Sequence, residues 1–154
     1  MPETFVIDRC DGREAGLIGL SGASGEVREL LDLEAHGHEG AVLALAAFCH
    51  RIVKYLGAYT AVLGGLDGIA IGGGIGENSP PIRARICSEL EWLGVRLDSA
   101  ANEQIVGVAG RITSAGSTIP IDVVPIDEEL LIAERVRDAL PVSESAGVGT
   151  RSAS

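Results

Sequence analysis

A chain of 154 residues is long enough for one domain with its own core, and 46% hydrophobic with 22% charged residues is a globular composition. Only 3% of the residues are aromatic, which leaves the core to Leu, Ile, Val and Ala. A formal net charge of -10 argues against nucleic acid and against an anionic membrane surface, since both want clustered Lys and Arg. It does not exclude a nucleotide, which needs only a local pocket of amide N–H groups or a metal.

Residues 1–15 are polar and show no period. They contain no apolar signal core, and no stretch reads as long enough to cross a bilayer, so the expected location is the cytoplasm. Cys10, Cys49 and Cys87 are far apart and form no CxxC pair, which reads as three reduced thiols. Gly16–Gly22, GLIGLSG, reads as a glycine-punctuated loop. Ser24 is the expected N-cap of a helix bearing Val27, Leu30 and Leu31. A longer helix should start near Gly40, with Val42, Leu45, Cys49, Ile52 and Leu56 on one apolar stripe, and end at Gly64-Gly65. That stripe reads as core, with a dimer contact as the alternative.

Leu66–Ile71 reads as a buried strand. The spacing predicts a third helix from Ser79 to Leu93, with Pro80 and Pro81 in its first turn and Ile82, Ile86, Leu90 and Leu93 buried. A short strand is expected at Arg111–Thr113 and a second buried strand at Ile119–Ile126. Asp127 can cap a last helix running to about Leu140. Residues 141–154 are small and polar and read as a disordered tail. His36, His38 and His50 fall on predicted helices or their junction and read as surface or structural residues. Two short apolar strands among four helices indicate an α/β fold with helices over the sheet.

Ile71–Pro80, IGGGIGENSP, is the most distinctive stretch. Its glycines lie between a buried strand and a helix start, where free N–H groups and the helix dipole favour an anion. It is not a Walker A loop, for no GK[ST] follows, and Glu77 stands where GxGxxG would need its third glycine. The residues alone leave two readings open, a phosphate or anion site and a tight turn with no ligand. Glu128-Glu129, after the second strand, is equally open: charge on a helix N-terminus, or oxygen ligands for Mg2+.

Several segments taken in order resemble the acetate and butyrate kinase family. Gly16–Gly22 is similar to its GLLGLSG, and Leu56-Gly57-Ala58-Tyr59 with Leu63–Asp67 to its IGAY and LGGLD. Gly73–Asn78 with Arg83 resembles its GGIGENS…R, and Val124–Leu130 its IPTNEEL. Leu93–Asp98 and Asn102 also follow the pattern, so the likeness covers about residues 16–140, downstream of a non-matching leader at 1–15.

The resemblance implies the C-terminal half of an actin-like, ribonuclease H-like duplicated fold, with ATP held mainly on this half. It implies a nucleotide loop at Gly74, Ile75, Gly76, Glu77 and Asn78, with Ile82 beside the adenine. Glu26-Val27-Arg28 stands in the place of the family's Asp-Met-Arg around ribose and adenine: a carboxylate is kept, one methylene longer, and a flexible wall residue is lost. Glu128 becomes the expected Mg2+ residue, while Ile126-Asp127 replaces Thr-Asn before it. The implied reaction is phosphoryl transfer from ATP to acetate, with propionate or butyrate as other acceptors. The acceptor site and the charge-stabilising residues of the family lie upstream of the matching region, so no catalytic residue is expected in this chain. A C-terminal-domain homodimer, a split enzyme completed by another polypeptide, and a non-catalytic module are the further readings.

Overall fold

The computed structural model describes residues 16–125. Helix α1 spans Leu17–Ser21, α2 Val27–Ala35 and α3 Glu39–Leu63. Strand β1 (Ile69–Ile71) leads into α4 (Gly73–Asn78) and α5 (Pro80–Glu89), then a 3-10 turn at Glu91–Leu93 and α6 (Ser99–Gln104). Strands β2 (Gly110–Arg111) and β3 (Ile121–Val123) complete the described part. The expected last helix from Asp127 and the tail at 141–154 lie outside it.

Local chemistry explains most helix ends. GLIGLSG is a short helix rather than a loop, and the N–H of Gly22 closes it on the carbonyl of Ile18 at 2.8 Å. Ser24 is not the N-cap of α2; Glu26 holds that position without a side-chain bond. The Ser24 hydroxyl instead accepts from the Glu26 N–H at 3.0 Å and donates to Glu29 Oε2 at 2.6 Å, which orders the turn just before the helix. His38 caps α3 through Nδ1, which accepts from the Ala41 N–H at 3.2 Å. His36 and His50 are exposed.

The buried stripe of α3 differs from the one the spacing suggested. Leu45 and Cys49 are buried and Ile52 and Leu56 half-buried, but Val42 is exposed, and Ala41 and Ala44 take its place. The reason is a close helix crossing. A Cβ at Gly40 would run into the backbone of Ser21 on α1, so the first turns of α3 bury their smallest residues. At 25 residues α3 is also long and apolar enough to cross a membrane by length and composition, contrary to expectation. Its Ala41, Ala44, Leu45 and Cys49 face are part of the core.

The strands are shorter than their apolar runs, and they form one mixed sheet in the order β1-β3-β2. β1 and β3 are parallel, with Ile69 opposite Ile121 and Ile71 opposite Val123, while β2 is antiparallel to β3. Ile121 and Val123 point into the core with Leu30, Leu45, Ile82, Ile86 and Leu90. Full burial of each such side chain stabilises the fold by about 1.5–3 kcal/mol. The alternate positions face the other way, and there Arg111 and Asp122 form a two-pronged ion pair at 2.8 and 2.9 Å beside exposed Ala70. Among the described residues the helices therefore gather on one face of the sheet.

Candidate functional site

The glycine stretch is itself a helix. β1 delivers the chain to Gly72, Gly73 turns it with φ 77, and α4 follows at once. At Gly76 a side chain is forbidden by space, because its Cβ would lie 2.5 Å from Ile71 Cγ2. That glycine lets α4 lie flat on the strand it came from. The Glu77 carboxylate folds back to accept the Gly73 N–H at 2.9 Å, and Asn78 Nδ2 donates to the Gly74 carbonyl at 3.0 Å. Pro80 and Pro81 then open α5, and proline without an N–H cannot extend the previous turn. α4 and α5 therefore meet at a corner, at Ser79.

That corner faces the start of α2 across a cavity of about 530 Å3, a size suited to a small ligand. Glu26, Val27 and Arg28 line one side; Gly74, Ile75 and Asn78 line the other. Six of the expected nucleotide residues, 46 or more positions apart in sequence, thus share one cavity. Nothing lies within 4 Å of a Cβ built on Gly74, so its backbone is open to approach. Ser79 also lines the cavity, and its buried hydroxyl has no hydrogen-bond partner among the described residues.

The other three expected residues serve elsewhere. Gly76 packs on Ile71, Glu77 caps Gly73, and Ile82 is 1% exposed in the core. Gly76 and Ile82 line a second, aliphatic cavity of about 280 Å3 between α3, β1 and α5. Glu128 lies outside the described residues, among which no three His, Cys, Asp or Glu side chains converge as metal ligands.

Arg83 and Asn102 belong to the family resemblance only as motif positions, and the structure shows what they do. Arg83 is fully buried beneath α4, and burial pushes its guanidinium below the ordinary value. Asn102 ties α6 to α5 through it: its Oδ1 accepts from Arg83 Nε at 2.8 Å, and its Nδ2 donates to the Pro80 carbonyl at 3.0 Å. An arginine one step from Ile82 on an apolar helix face was the available signal. One turn further along α5, burial raises the Cys87 thiol to about 11. Arg85, also on α5, turns away to pair with Glu34 of α2.

Residues 6–134 match the family model described as "Acetokinase family". The chain is 43% identical over 137 residues to an acetate kinase of Bacteroides thetaiotaomicron, covering 89% of this chain and 34% of that protein. It is 48% identical over 122 residues to an acetate kinase of Chromobacterium violaceum, covering 79% and 30%. Among solved structures it resembles Porphyromonas gingivalis acetate kinase with a TM-score of 0.74 and 38% identity, over 81% of this chain and 31% of that one. A propionate kinase of Francisella tularensis matches with a TM-score of 0.70 and 36% identity, over 79% and 30%. The chain spans about a third of the length of the relatives it matches.

Proposed function

This chain belongs to the acetokinase family, and on that premise we propose that it supplies the nucleotide-binding side of an acetate kinase, within an actin-like domain at residues 16–140. The observation that carries the reading is the meeting of Glu26, Val27 and Arg28 with Gly74, Ile75 and Asn78 around one cavity. The Glu26 carboxylate accepts from ribose hydroxyls, while Val27 and Ile75 provide apolar walls for the base. The open backbone at Gly74 admits the phosphates. Glu128 is the residue of this chain assigned to Mg2+, which in such kinases neutralises charge on the phosphates.

In the whole enzyme the reaction is ATP plus acetate to ADP plus acetyl phosphate, in the cytoplasm, without nucleic-acid or membrane partners. These 154 residues supply no catalytic residue to it. The acceptor, acetate or a longer acyl group, is bound by parts that they do not resemble, whether those belong to the same polypeptide or to a partner. A calorimetric titration of the chain with Mg-ADP tests the reading, beside a Gly74→Val variant. Binding that the variant weakens at least tenfold supports the site. Equal binding by both chains, or none by the folded wild type, rejects it.

A second reading, a dimerisation module, is favoured by the far end of α3. Tyr55, Tyr59, Val62 and Leu63 are 50–80% exposed on its last turns, and the two tyrosine rings stack at 6.5 Å. A patch of this kind marks an interaction surface. We propose this stripe, rather than the Val42–Leu56 stripe, as the homodimer contact. Sedimentation of the wild type as a dimer and of Tyr59→Glu as a monomer supports it; a monomeric wild type removes it.

A further inference from the structure

Arg83 uses every donor it has. Nε donates to Asn102 Oδ1 at 2.8 Å. Nη1 donates to the carbonyls of Gly76 and Glu77 at 2.8 and 2.9 Å. Nη2 donates to the carbonyls of Asn102 and Ile105, both at 2.6 Å. None of these acceptors is a carboxylate. Four are backbone carbonyls at the C-terminal ends of α4 and α6, the groups a helix leaves without internal partners. The two negative helix ends converge on one cation, which is how a guanidinium with no acidic acceptor is accommodated in the core.

Both helices are six residues long, too short to persist unaided. α4 is tied at its start by Glu77 and at its end by Arg83, with the Gly107 N–H also donating to the Glu77 carbonyl at 3.1 Å. Arg83 does not line the 530 Å3 cavity, whereas Gly74, Ile75 and Asn78 of α4 do. Lysine could not replace it, since three donors on a point charge do not reproduce a planar fork of five.

We propose that Arg83, braced by Asn102, is the positioning residue of the nucleotide cavity: it locks the C-terminal end of α4 and so sets where Gly74, Ile75 and Asn78 stand against the α2 wall. The inference rests on the nucleotide reading above, and its test separates the two. Amide hydrogen exchange and Mg-ADP titration are run on the wild-type chain, on Arg83→Lys and Asn102→Ala, and on Arg85→Lys as a control on the same helix. In the first two variants the amides of Glu77–Ser79, which close α4, exchange at least tenfold faster while those of Ile121–Val123 keep their protection, and the Kd for Mg-ADP rises at least tenfold. Asn102→Ala, which keeps four of the five donations, shows the smaller change and decides the matter if Arg83→Lys does not fold. Arg85→Lys alters neither reading.

A loss of protection equal in α4 and β3 would make Arg83 a general stabiliser and overturn the proposal. So would an unchanged Kd in a variant whose α4 has loosened. No Mg-ADP binding by the wild type would sink the nucleotide reading, and the exchange pattern would still show whether Arg83 holds α4.

Discussion

Two arginines of this chain neutralise their surroundings in opposite ways. Arg83 lies at 0% exposure and gives all its protons to neutral oxygens at two helix ends. Arg111 lies on the open face of the sheet, in a near-ideal fork with the Asp122 carboxylate, and both side chains reach water. The pair that looks stronger on paper matters less. Solvent screens the exposed pair and can satisfy either partner in the folded chain if the other is lost. Around Arg83 the carbonyls of Gly76, Asn102 and Ile105 rely on the guanidinium, and losing it strands them.

The largest expected effect is therefore at Arg83. Arg83→Met orphans the carbonyls of Gly76, Asn102 and Ile105, while that of Glu77 keeps the Gly107 N–H; at about 1–3 kcal/mol each, the loss is at least about 3 kcal/mol from a domain total of about 5–15. Denaturant unfolding checks this, and a loss below about 1 kcal/mol would erase the contrast with Arg111. The neighbouring Cys87 sharpens the same comparison. Its thiol, raised to about 11 mainly by burial, favours the folded state fully below the ordinary thiol pKa of about 8.5. That contribution, on the order of 2–3 kcal/mol, is lost as pH climbs towards about 11. Unfolding curves at pH 8 and pH 11 measure it, with Cys87→Ala flattening the difference.

Gly76→Ala comes next. The added methyl meets the branched Ile71 side chain at the root of α4, at a cost of about 1–3 kcal/mol. The same change at Gly74, which faces open space, leaves stability nearly unaltered; equal losses at both would contradict the close packing of α4 on β1 at Gly76. The smallest effect is at the surface. Arg111→Ala should leave the melting midpoint within error near neutral pH. Arg111 holds the Asp122 carboxyl below its ordinary value, so whatever the pair contributes is present above the ordinary carboxylate range. It disappears as pH falls through the lowered value, and melts at pH 7 and pH 3 with and without Arg111 isolate it.

How far the sequence carried the fold can be judged at particular helices. The buried face of α5 was legible because Ile82, Ile86 and Leu90 recur at the helical period and need no distant partner to define a side. β1 and β3 were legible as apolar runs between turns, though not their lengths, which depend on how far each finds a neighbour to pair with. α4 and α6 were missed. Three glycines in six positions carry little helical propensity, and Gly73–Asn78 is held by bonds to Arg83, itself bonded to Asn102 nineteen residues further on. The stripe of α3 was misjudged at Val42 because a close approach of α1 at Gly40 decides which side is inward.

By itself, then, the sequence determined what depends on neighbours along the chain: the order of the main helices and strands, the aliphatic core, the turn after β1, and, through resemblance, the family and its candidate nucleotide residues. Its local chemistry left the glycine stretch undecided between an anion site and an empty turn, because backbone freedom is compatible with both. Only the tertiary structure decided that Glu26–Arg28 and Gly74–Asn78 face each other across a cavity, that Glu77 and Gly76 serve α4 itself, and that a buried arginine holds the corner. The physical reason is range: periodicity and propensity act over a few residues, whereas a cavity wall and a charge shared between two helix ends exist only once distant segments have met.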